Sequence, residues 1–436
     1  MGKGQSLYKK AKSIIPGGTM LLSKRPEMHL PEQWPSFFDT AKGISVKDLD
    51  ANEYTDMYIM GIGTNTLGYG NSYVDEAVSA VVKKGNMSTF NCPEEVELAE
   101  KLIELHPWGE MVRFARSGGE ANSIAVRIAR AASGRDKVAI CGYHGWHDWY
   151  ISTNLGDNAG LDGHLLPGLE PAGVPRSLKG TTIPFTYNDL EEITQIVKSN
   201  PDLGVIKMEV TRNMGPKEGY LEGIRKLCDE NNIVLIFDEC TSGFRETYGG
   251  IHLKYGVEPD MCMFGKALGN GYAITAVLGK REIMEAAQKT FISSTFWTER
   301  IGPAAAIATL EEMNRIKSWE IITEQGKKIQ EGWKNLAVEN DLDLQCAGIP
   351  ALSTYSIKSE SWLKYKTFIT QEMLKKGWLA GSSVYVCVDH TDSVIENYLN
   401  ELNPIFKTIS DFEKSRRDIS ELLEGPVSHE GFKRLN

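Results

Sequence analysis

The stretch Met261-Cys262-Met263-Phe264-Gly265-Lys266-Ala267-Leu268-Gly269-Asn270-Gly271 decides how the rest of the sequence is interpreted. Four apolar residues stop at a glycine, a single lysine follows, and a glycine-bearing loop comes next. The pattern predicts a short buried strand that ends in a tight turn. It puts an amine at a strand end, where open α/β sheets bind ligands and where apolar neighbours favour Schiff-base chemistry. Taken alone, however, an ordinary solvated lysine is the commoner case.

A second apolar strand, upstream of the first, ends in acids. Residues 233–237 are all apolar, and Asp238-Glu239 follow them directly. Because successive strands of a parallel sheet end at the same edge, we expect Asp238 and Lys266 to face one pocket. A carboxylate there can hold a metal, a ribose hydroxyl or a protonated ring nitrogen, or it can simply cap the next turn.

A third motif, Ser117-Gly118-Gly119-Glu120, predicts the start of a helix. Serine with glutamate three residues later forms a capping box. Two glycines at a helix N-terminus leave backbone N–H groups open to an anion, and the helix dipole favours negative charge. The motif therefore fits a phosphate cradle or a well-capped structural helix equally well. It is not the GxGxxG pattern of dinucleotide-binding proteins.

A fourth motif, Tyr143-His144-Gly145-Trp146-His147, follows another predicted strand. Tyr143 is the best candidate to stack on a flat ring. The two histidines have a spacing that suggests a metal, but no third ligand or cysteine pair accompanies them, so we expect no metal site. A histidine that hydrogen-bonds within the pocket, or one that only packs, is the more common case.

Together, the anion cradle, the buried acid and the strand-end lysine meet the needs of one cofactor. Pyridoxal phosphate carries a phosphate, a pyridine nitrogen and an aldehyde, and a protein must bind the first, keep the second protonated and hold the third on a lysine. The sequence therefore predicts a pyridoxal-phosphate protein.

Length, charge and cysteine usage limit the remaining possibilities. A chain of 436 residues is expected to form one large and one smaller domain. A net charge of −10 argues against nucleic acid or an anionic membrane as the main partner. Seven scattered cysteines without a CxxC pair indicate a reducing compartment, which we take to be the cytoplasm. No apolar run approaches the roughly 20 residues of a membrane span.

With these motifs in view, nearly the whole chain resembles the class-III (subgroup III) aminotransferases of pyridoxal-phosphate fold type I. Within that family it is most similar to the glutamate-1-semialdehyde 2,1-aminomutases. The segments that carry the resemblance are Ile15–Gly18, Val112–Ile128, Gly142–His147, Tyr187–Leu190, Leu227–Glu230, Phe237–Glu239, Thr241–Arg245 and Gly265-Lys266.

The resemblance implies a fold and an assembly. We expect an α/β large domain over residues 61–315 with a mostly parallel seven-stranded sheet. Residues 1–60 and 316–436 would form a smaller α+β domain. Active sites of this family are built at a dimer interface, so a homodimer follows.

The resemblance also implies individual roles. Lys266 would be the catalytic Schiff-base lysine and proton shuttle, and Asp238 would pair with the ring nitrogen. Thr295 would reach the phosphate of the neighbouring subunit's cofactor. The other positions that would contact the cofactor are Ser117, Gly118 and Gly119 at the phosphate, Tyr143 stacked on the ring, and His144, Glu209 and Asn213 around it.

The sequence departs from the mutase pattern mainly on the substrate side. Lys24 and Arg25 stand where the mutases bind the substrate carboxylate with an arginine, and a lysine lacks the bidentate fork. Residues 381–385 lack the acid that the mutases carry there. We therefore predict an aminotransferase that uses a small amino donor and a carbonyl acceptor such as a keto-sugar or another hydroxylated carbonyl compound. The alternatives are a true glutamate-1-semialdehyde aminomutase and a non-catalytic binding protein on the same fold.

Overall fold

The structure, a computed structural model, describes residues 2–156, 159–164, 167–211 and 213–431. These residues form two compact units, one made of residues 72–319 and the other of residues 2–71 with 320–431. The division predicted from the sequence, with a large domain over residues 61–315, is close to the first of these ranges. The assignment of domains remains a prediction.

The secondary structure alternates along the middle of the chain. The strands are β1 (Phe38–Lys42), β2 (Ser45–Asp48), β3 (Glu53–Met57), β4 (Met111–Ala115), β5 (Lys137–Cys141), β6 (Thr182–Pro184), β7 (Leu203–Met208), β8 (Val234–Asp238), β9 (Met261–Phe264), β10 (Thr275–Gly279), β11 (Leu344–Ala347), β12 (Leu352–Ile357), β13 (Trp378–Ala380) and β14 (Ser383–Tyr385). The α-helices are α1 (Lys3–Ile14), α2 (Met60–Gly63), α3 (Ser72–Lys84), α4 (Glu94–Leu105), α5 (Gly118–Ser133), α6 (Asp148–Ile151), α7 (Leu190–Ser199), α8 (Tyr220–Asn231), α9 (His252–Tyr255), α10 (Arg281–Met284), α11 (Ile301–Ile316), α12 (Ser318–Glu339), α13 (Trp362–Lys375) and α14 (Asp392–Ser415).

A seven-stranded sheet organises residues 72–319. Its strand order is β4-β10-β9-β8-β7-β5-β6. Neighbours from β9 to β6 pair in parallel, whereas β10 runs antiparallel to both β9 and β4. The predicted fold class, an α/β protein with a mostly parallel seven-stranded sheet, is confirmed. Strands buried on both faces read as continuous apolar runs, which explains why β8 and β9 could be found in the sequence.

The core of this unit lies between the sheet and α5. The helix is rich in alanine and isoleucine, which are good helix formers or pack well against a sheet, and Gly134 ends it in the left-handed conformation with φ of 66°. Its buried residues Ile124 and Ile128 belong to one apolar cluster with Ile236 of β8 and Met263 of β9. This packing fixes the N-terminus of α5 relative to the ends of the strands.

The other unit contains two smaller sheets, with strand orders β1-β2-β3-β13 and β11-β12-β14. Its core is built around Trp333, which is fully buried and donates a hydrogen bond from Nε1 to the Tyr398 hydroxyl at 3.1 Å. Strand β13 pairs in parallel with β3, so residues distant in sequence share this unit.

The helical region between residues 301 and 339 is divided into two helices. Lys317 adopts the left-handed conformation with φ of 52° and ends α11, and α12 begins at the next residue. Over the residues that the structure describes, no helix combines the length and the apolar character needed to cross a membrane.

Ile236→Ala tests whether the contact between the sheet and α5 holds this unit together. Ile236 is fully buried in the centre of the apolar cluster. Because the substitution leaves a cavity, we expect the free energy of unfolding to fall by about 2–5 kcal/mol, measured by urea denaturation. Val96→Ala, at an exposed position on α4, is the matched control and should change it by less than about 0.5 kcal/mol. Equal losses in the two variants would contradict this description of the core.

Candidate active site

Asp238 and Lys266 lie at the same edge of the seven-stranded sheet. Asp238 is the last residue of β8, and it is paired in register with Met263 of the neighbouring strand β9. Lys266 follows the end of β9 by two residues. The parallel pairing of the two strands therefore brings the acid and the amine to one end of the sheet, as the apolar runs predicted.

Asp238 is a buried carboxylate with several partners. Its Oδ2 lies 2.9 Å from Nδ1 of His144, and its Oδ1 accepts a hydrogen bond from the backbone N–H of Cys240 at 3.1 Å. The Lys207 ammonium lies 3.8 Å from the same Oδ2. Burial alone would raise the pKa of Asp238, but the Lys207 charge and the His144 hydrogen bond outweigh it and hold that pKa well below its usual value. The carboxylate is therefore ionised throughout the ordinary pH range.

His144 orients this carboxylate. The ring is fully buried, and burial lowers the pKa of His144 despite the neighbouring carboxylate, so the imidazole is neutral near pH 7. A carboxylate only accepts, so the Nδ1 of His144 carries the hydrogen and donates it to Asp238. Its Nε2 is buried and has no hydrogen-bond partner within the described part of the chain.

Lys266 is held in an uncommon backbone conformation. Its φ of 42° lies in the left-handed region, where non-glycine residues are rare, and strain of this kind clusters at functional sites. Its side chain is partly buried, and Nζ donates a hydrogen bond to Thr241 Oγ1 at 2.8 Å. Thr241 follows Asp238 by three residues, so the turn after β8 positions the amine.

The turn before α5 has the predicted capping box. Ser117 is the N-cap, and its backbone N–H donates to Glu120 Oε2 at 2.9 Å. A Cβ added to Gly118 would meet nothing within 4 Å, so the space beside this residue at the first turn of the helix is open. Gly119 packs closely against the loop after β5, where a Cβ on Gly145 would lie 3.0 Å from the Gly119 Cα.

That loop joins the helix N-terminus to the strand ends. The backbone N–H of Tyr143 donates to Glu209 Oε2 at 3.0 Å, and Glu209 follows the end of β7 directly. Gly142 has a φ of 114°, and a Cβ there would lie 2.5 Å from Glu209 Oε2, so only glycine fits. The half-buried Tyr143 side chain lies edge-on to Tyr150, with ring centroids 6.3 Å apart.

The remaining predicted residues lie elsewhere in the chain. Thr295 is exposed and begins a short 3₁₀ helix, and Arg116 donates to the backbone of Trp297 at 2.9 Å, which ties this segment to the turn before α5. Asn213 is exposed in the loop after β7. Lys24 and Arg25 belong to the unit formed by residues 2–71 and 320–431. Their proposed contacts with substrate, and that of Thr295 with a partner's cofactor, remain predictions.

Sequence reasoning missed Lys207 and the role of Thr241. Lys207 interrupts an otherwise apolar strand one residue before its end, and this was a signal that could have been used. Thr241 lay in a recognised motif, but its contact with Lys266 depends on the shape of the turn after β8. Neither contact can be derived from spacing alone.

Glu239, His252 and Cys262 form the one cluster of potential metal ligands found in the described residues. His252 Nδ1 lies 2.6 Å from Glu239 Oε1, and its Nε2 accepts a hydrogen bond from the Trp108 indole at 2.9 Å. Because both ring nitrogens are engaged and burial raises the pKa of the Cys262 thiol well above its usual value, the cluster is suited to packing and not to holding a metal.

The family model for class-III aminotransferases matches residues 29–388, which is most of the chain and includes every strand of the seven-stranded sheet. The chain belongs to the class-III aminotransferases. This confirms the resemblance predicted from the motifs and identifies the chain as an enzyme of the aminotransferase group.

Three known proteins are similar to this chain over most of its length. The chain is 34% identical over 410 residues to the 3-aminobutyryl-CoA aminotransferase of Cloacimonas acidaminovorans, covering 90% of this chain and 94% of the relative. It is 33% identical over 362 residues to the glutamate-1-semialdehyde 2,1-aminomutase of Methanococcoides burtonii, covering 81% and 83%. The internal aldimine form of the FumI protein of Sphingopyxis sp. MTA144, which contains PLP, superimposes with a TM-score of 0.86 at 25% identity, covering 97% of this chain and all of that one.

A buried histidine of this unit, His106, predicts a loss of stability in acid. Buried His106 accepts a hydrogen bond from the Gly250 N–H at Nε2 (2.9 Å), and burial lowers the pKa of His106 from 6.5 to about 4. The unfolded chain therefore binds more protons between these values, and the free energy of unfolding falls as the pH drops from about 6.5 to about 4.

His106→Gln should lower stability at neutral pH and also make this fall shallower, by up to roughly 1.4 kcal/mol per pH unit. Thermal or urea unfolding at a series of pH values measures the slope. A variant that keeps the full slope of the parent would show that His106 does not titrate in this way.

Proposed function

We propose that the chain is a pyridoxal-phosphate-dependent aminotransferase that transfers an amino group between a small amino donor and a carbonyl acceptor. The observation that carries this proposal is the ionised, buried Asp238 at the same sheet edge as Lys266, whose amine is held by Thr241. A lysine alone at a strand end would not require a cofactor. The buried Asp238 carboxylate already has the Lys207 ammonium 3.8 Å from Oδ2, and its ionised form can in addition accept a hydrogen bond from a protonated ring nitrogen.

The chemistry of the site fits pyridoxal phosphate. Asp238 can only accept hydrogen bonds, so it suits a protonated pyridine nitrogen. The open space beside Gly118 at the N-terminus of a sixteen-residue helix suits a phosphate. Tyr143 supplies an aromatic face that is half-buried and anchored through its backbone to Glu209. The donor set therefore provides one group for each part of the cofactor.

When bound, the cofactor supplies an electron sink for the negative charge that develops on the substrate carbon. Lys266 Nζ would hold the cofactor through its carbonyl carbon until the donor amine displaces it, and the freed amine would then move a proton to and from the substrate carbon as a general base and acid. Thr241 Oγ1 orients that amine. Asp238 would keep the ring nitrogen protonated, and His144 and the Cys240 N–H hold the carboxylate in place for this role. Gly118 and Gly119 would bind the phosphate through their backbone N–H groups, with help from the Ser117 hydroxyl.

The assembly and the location are part of the same proposal. We expect a homodimer in which Thr295 of one subunit reaches the phosphate in the other. All seven cysteines are free in the structure, which is consistent with a reducing compartment such as the cytoplasm.

On the substrate side, the proposed acceptor is a keto-sugar or another hydroxylated carbonyl compound. The support is the sequence itself, where Lys24 and Arg25 stand near the position of the mutase arginine and residues 381–385 carry no acid. A second candidate is a 3-aminoacyl thioester, which is favoured by the 34% identity to a 3-aminobutyryl-CoA aminotransferase over most of both chains. The 2,1-aminomutase reaction is a third, supported by relatives of 30–33% identity.

Lys266→Ala tests the cofactor and the catalytic amine together. The parent protein should be yellow, and the variant should lose the visible absorbance band because it lacks the amine that binds the cofactor aldehyde. Amino transfer should fall by roughly 10³-fold or more. Lys137→Ala, which removes a half-buried lysine from β5 of the same sheet, is the control and should keep both band and activity. A parent protein that takes up no cofactor would refute the proposal.

A substrate panel tests the acceptor. The enzyme is first converted to its amino form with excess donor, and single-turnover return of the visible band is then followed with each carbonyl compound. We expect hydroxylated keto-sugars to restore the band with a second-order rate constant at least about tenfold above that of glutamate 1-semialdehyde. This ratio corresponds to a difference of about 1.4 kcal/mol in activation free energy. Faster return with 3-oxobutyryl-CoA, or efficient formation of 5-aminolevulinate, would replace the keto-sugar proposal by the second or third candidate.

A further inference from the structure

Lys207 is a fully buried lysine in the centre of the active-site sheet. It lies in β7, all six residues of which are buried, and its side chain has no exposed surface. Lysines are almost never fully buried unless they are paired with an opposite charge. An apolar residue would serve the packing of this strand better, so the presence of an amine here requires an explanation.

The geometry of the sheet directs this amine towards Asp238. Lys207 is paired in register with Ile236 of β8, and side chains two residues apart on a strand point to the same face. Ile236, Asp238 and Lys207 therefore share the face that packs against α5. The Lys207 Nζ reaches to 3.8 Å from Asp238 Oδ2 and donates a hydrogen bond to Met263 Sδ at 2.9 Å.

The negative charge of Asp238 compensates the cost of burying the Lys207 ammonium. A thioether sulfur is a weak acceptor, and it is the one hydrogen-bond partner of Nζ within the described ranges. Burial lowers the pKa of Lys207 below its usual value, and the attraction of Asp238 offsets part of that lowering. The same attraction is one of the causes that hold the pKa of Asp238 low. The two side chains are therefore electrostatically coupled in a site of low dielectric.

This coupling places two cationic groups in competition for one carboxylate. Under the proposed function, Asp238 must hold a proton on the ring nitrogen of the cofactor. A second positive charge beside Oδ2 reduces the negative potential that the carboxylate offers to that ring. His144 is neutral and donates to the same oxygen, so it orients the carboxylate but adds no full charge.

We propose that Lys207 is a positioning residue that acts through Asp238 and sets how firmly the ring nitrogen of the cofactor is protonated. The inference rests on the proposed use of pyridoxal phosphate. A ring nitrogen that is less firmly protonated makes the ring a weaker electron sink. The negative charge on the substrate carbon is then less stabilised, which favours proton transfer at Lys266 over other reactions of the carbanion. Lys207 thus tunes the reaction without contacting the substrate or the cofactor.

The direct test measures the ring nitrogen and not activity. Holoenzyme is prepared with pyridoxal phosphate labelled with ¹⁵N in the ring, and the ¹⁵N chemical shift is recorded for the parent and for Lys207→Met. Methionine is unbranched and as long as the lysine side chain up to Cε, so it removes the ammonium and leaves an apolar strand. We expect the shift of the variant to move towards the value of the fully protonated ring. Lys207→Arg retains the charge and should leave the shift near that of the parent.

Lys137→Met is the matched control. It also removes a lysine from this sheet, but from the start of β5, where its ammonium lies 3.0 Å from Asp202. We expect no change in the ring shift in this variant. A Lys207→Met protein that folds, binds the cofactor and keeps the parent shift would overturn the inference and leave Lys207 as a stabilising residue only.

A second measurement keeps the inference testable if one variant folds poorly. Pyridoxamine phosphate binds without a covalent bond. Its dissociation constant therefore reports how strongly the protein interacts with the ring. Lys207→Met should bind it about tenfold more tightly than the parent, which corresponds to a shift of one unit in the pKa of the ring. An analogue with carbon in place of the ring nitrogen should bind the two proteins equally.

The outcomes separate this inference from the function on which it rests. A parent protein that binds neither pyridoxal phosphate nor pyridoxamine phosphate removes the proposed function itself. Normal binding by the parent, with equal gains for both the nitrogen and the carbon analogue in Lys207→Met, retains the function but refutes the role of Lys207.

Discussion

The burial of one charged carboxylate is the constraint on which the rest of this site depends. Asp238 stands at the end of a strand where water is excluded, so its charge must be met by groups that the fold itself supplies. The structure supplies an imidazole, a backbone N–H and an ammonium from three different segments. Each of those segments must therefore end or turn at the same place for the carboxylate to be tolerated.

This requirement explains the close packing of the glycines nearby. The loop that carries His144 reaches Asp238 only because Gly142 turns with a positive φ beside Glu209 and Gly145 lies against Gly119. The same contacts hold the N-terminus of α5, with its open first turn, near the strand ends. The open first turn of the helix and the acid at the sheet are thus fixed relative to each other by short contacts of glycines, which leave less room for movement than contacts between long side chains.

Much of this arrangement could be predicted from the sequence because it is encoded locally. The apolar runs before Asp238 and Lys266 give the strands and their ends, and the serine–glutamate spacing gives the start of α5. The family, the fold class and the capping box are confirmed by the comparisons and the structure. Contacts across the sheet were not accessible in this way. The register between β7 and β8 decides that Lys207 faces Asp238, and a turn decides that Thr241 holds Lys266.

The residues that would bind the substrate are not encoded locally in the same way. Lys24 and Arg25 belong to the unit formed by residues 2–71 and 320–431, and residue spacing along the chain does not specify which small molecule they would bind. The candidate cofactor residues, by contrast, stand at strand ends and at a helix start, which local sequence patterns encode.

The central claim is that the amine of Lys266, and no other, bonds to the cofactor. Reduction of the yellow holoenzyme with borohydride makes that bond permanent, and peptide mass spectrometry then locates the pyridoxyl group. The account predicts a single modified peptide that carries the group on Lys266. Modification of Lys207 or of any other lysine in its place, or no modified peptide at all, would contradict it.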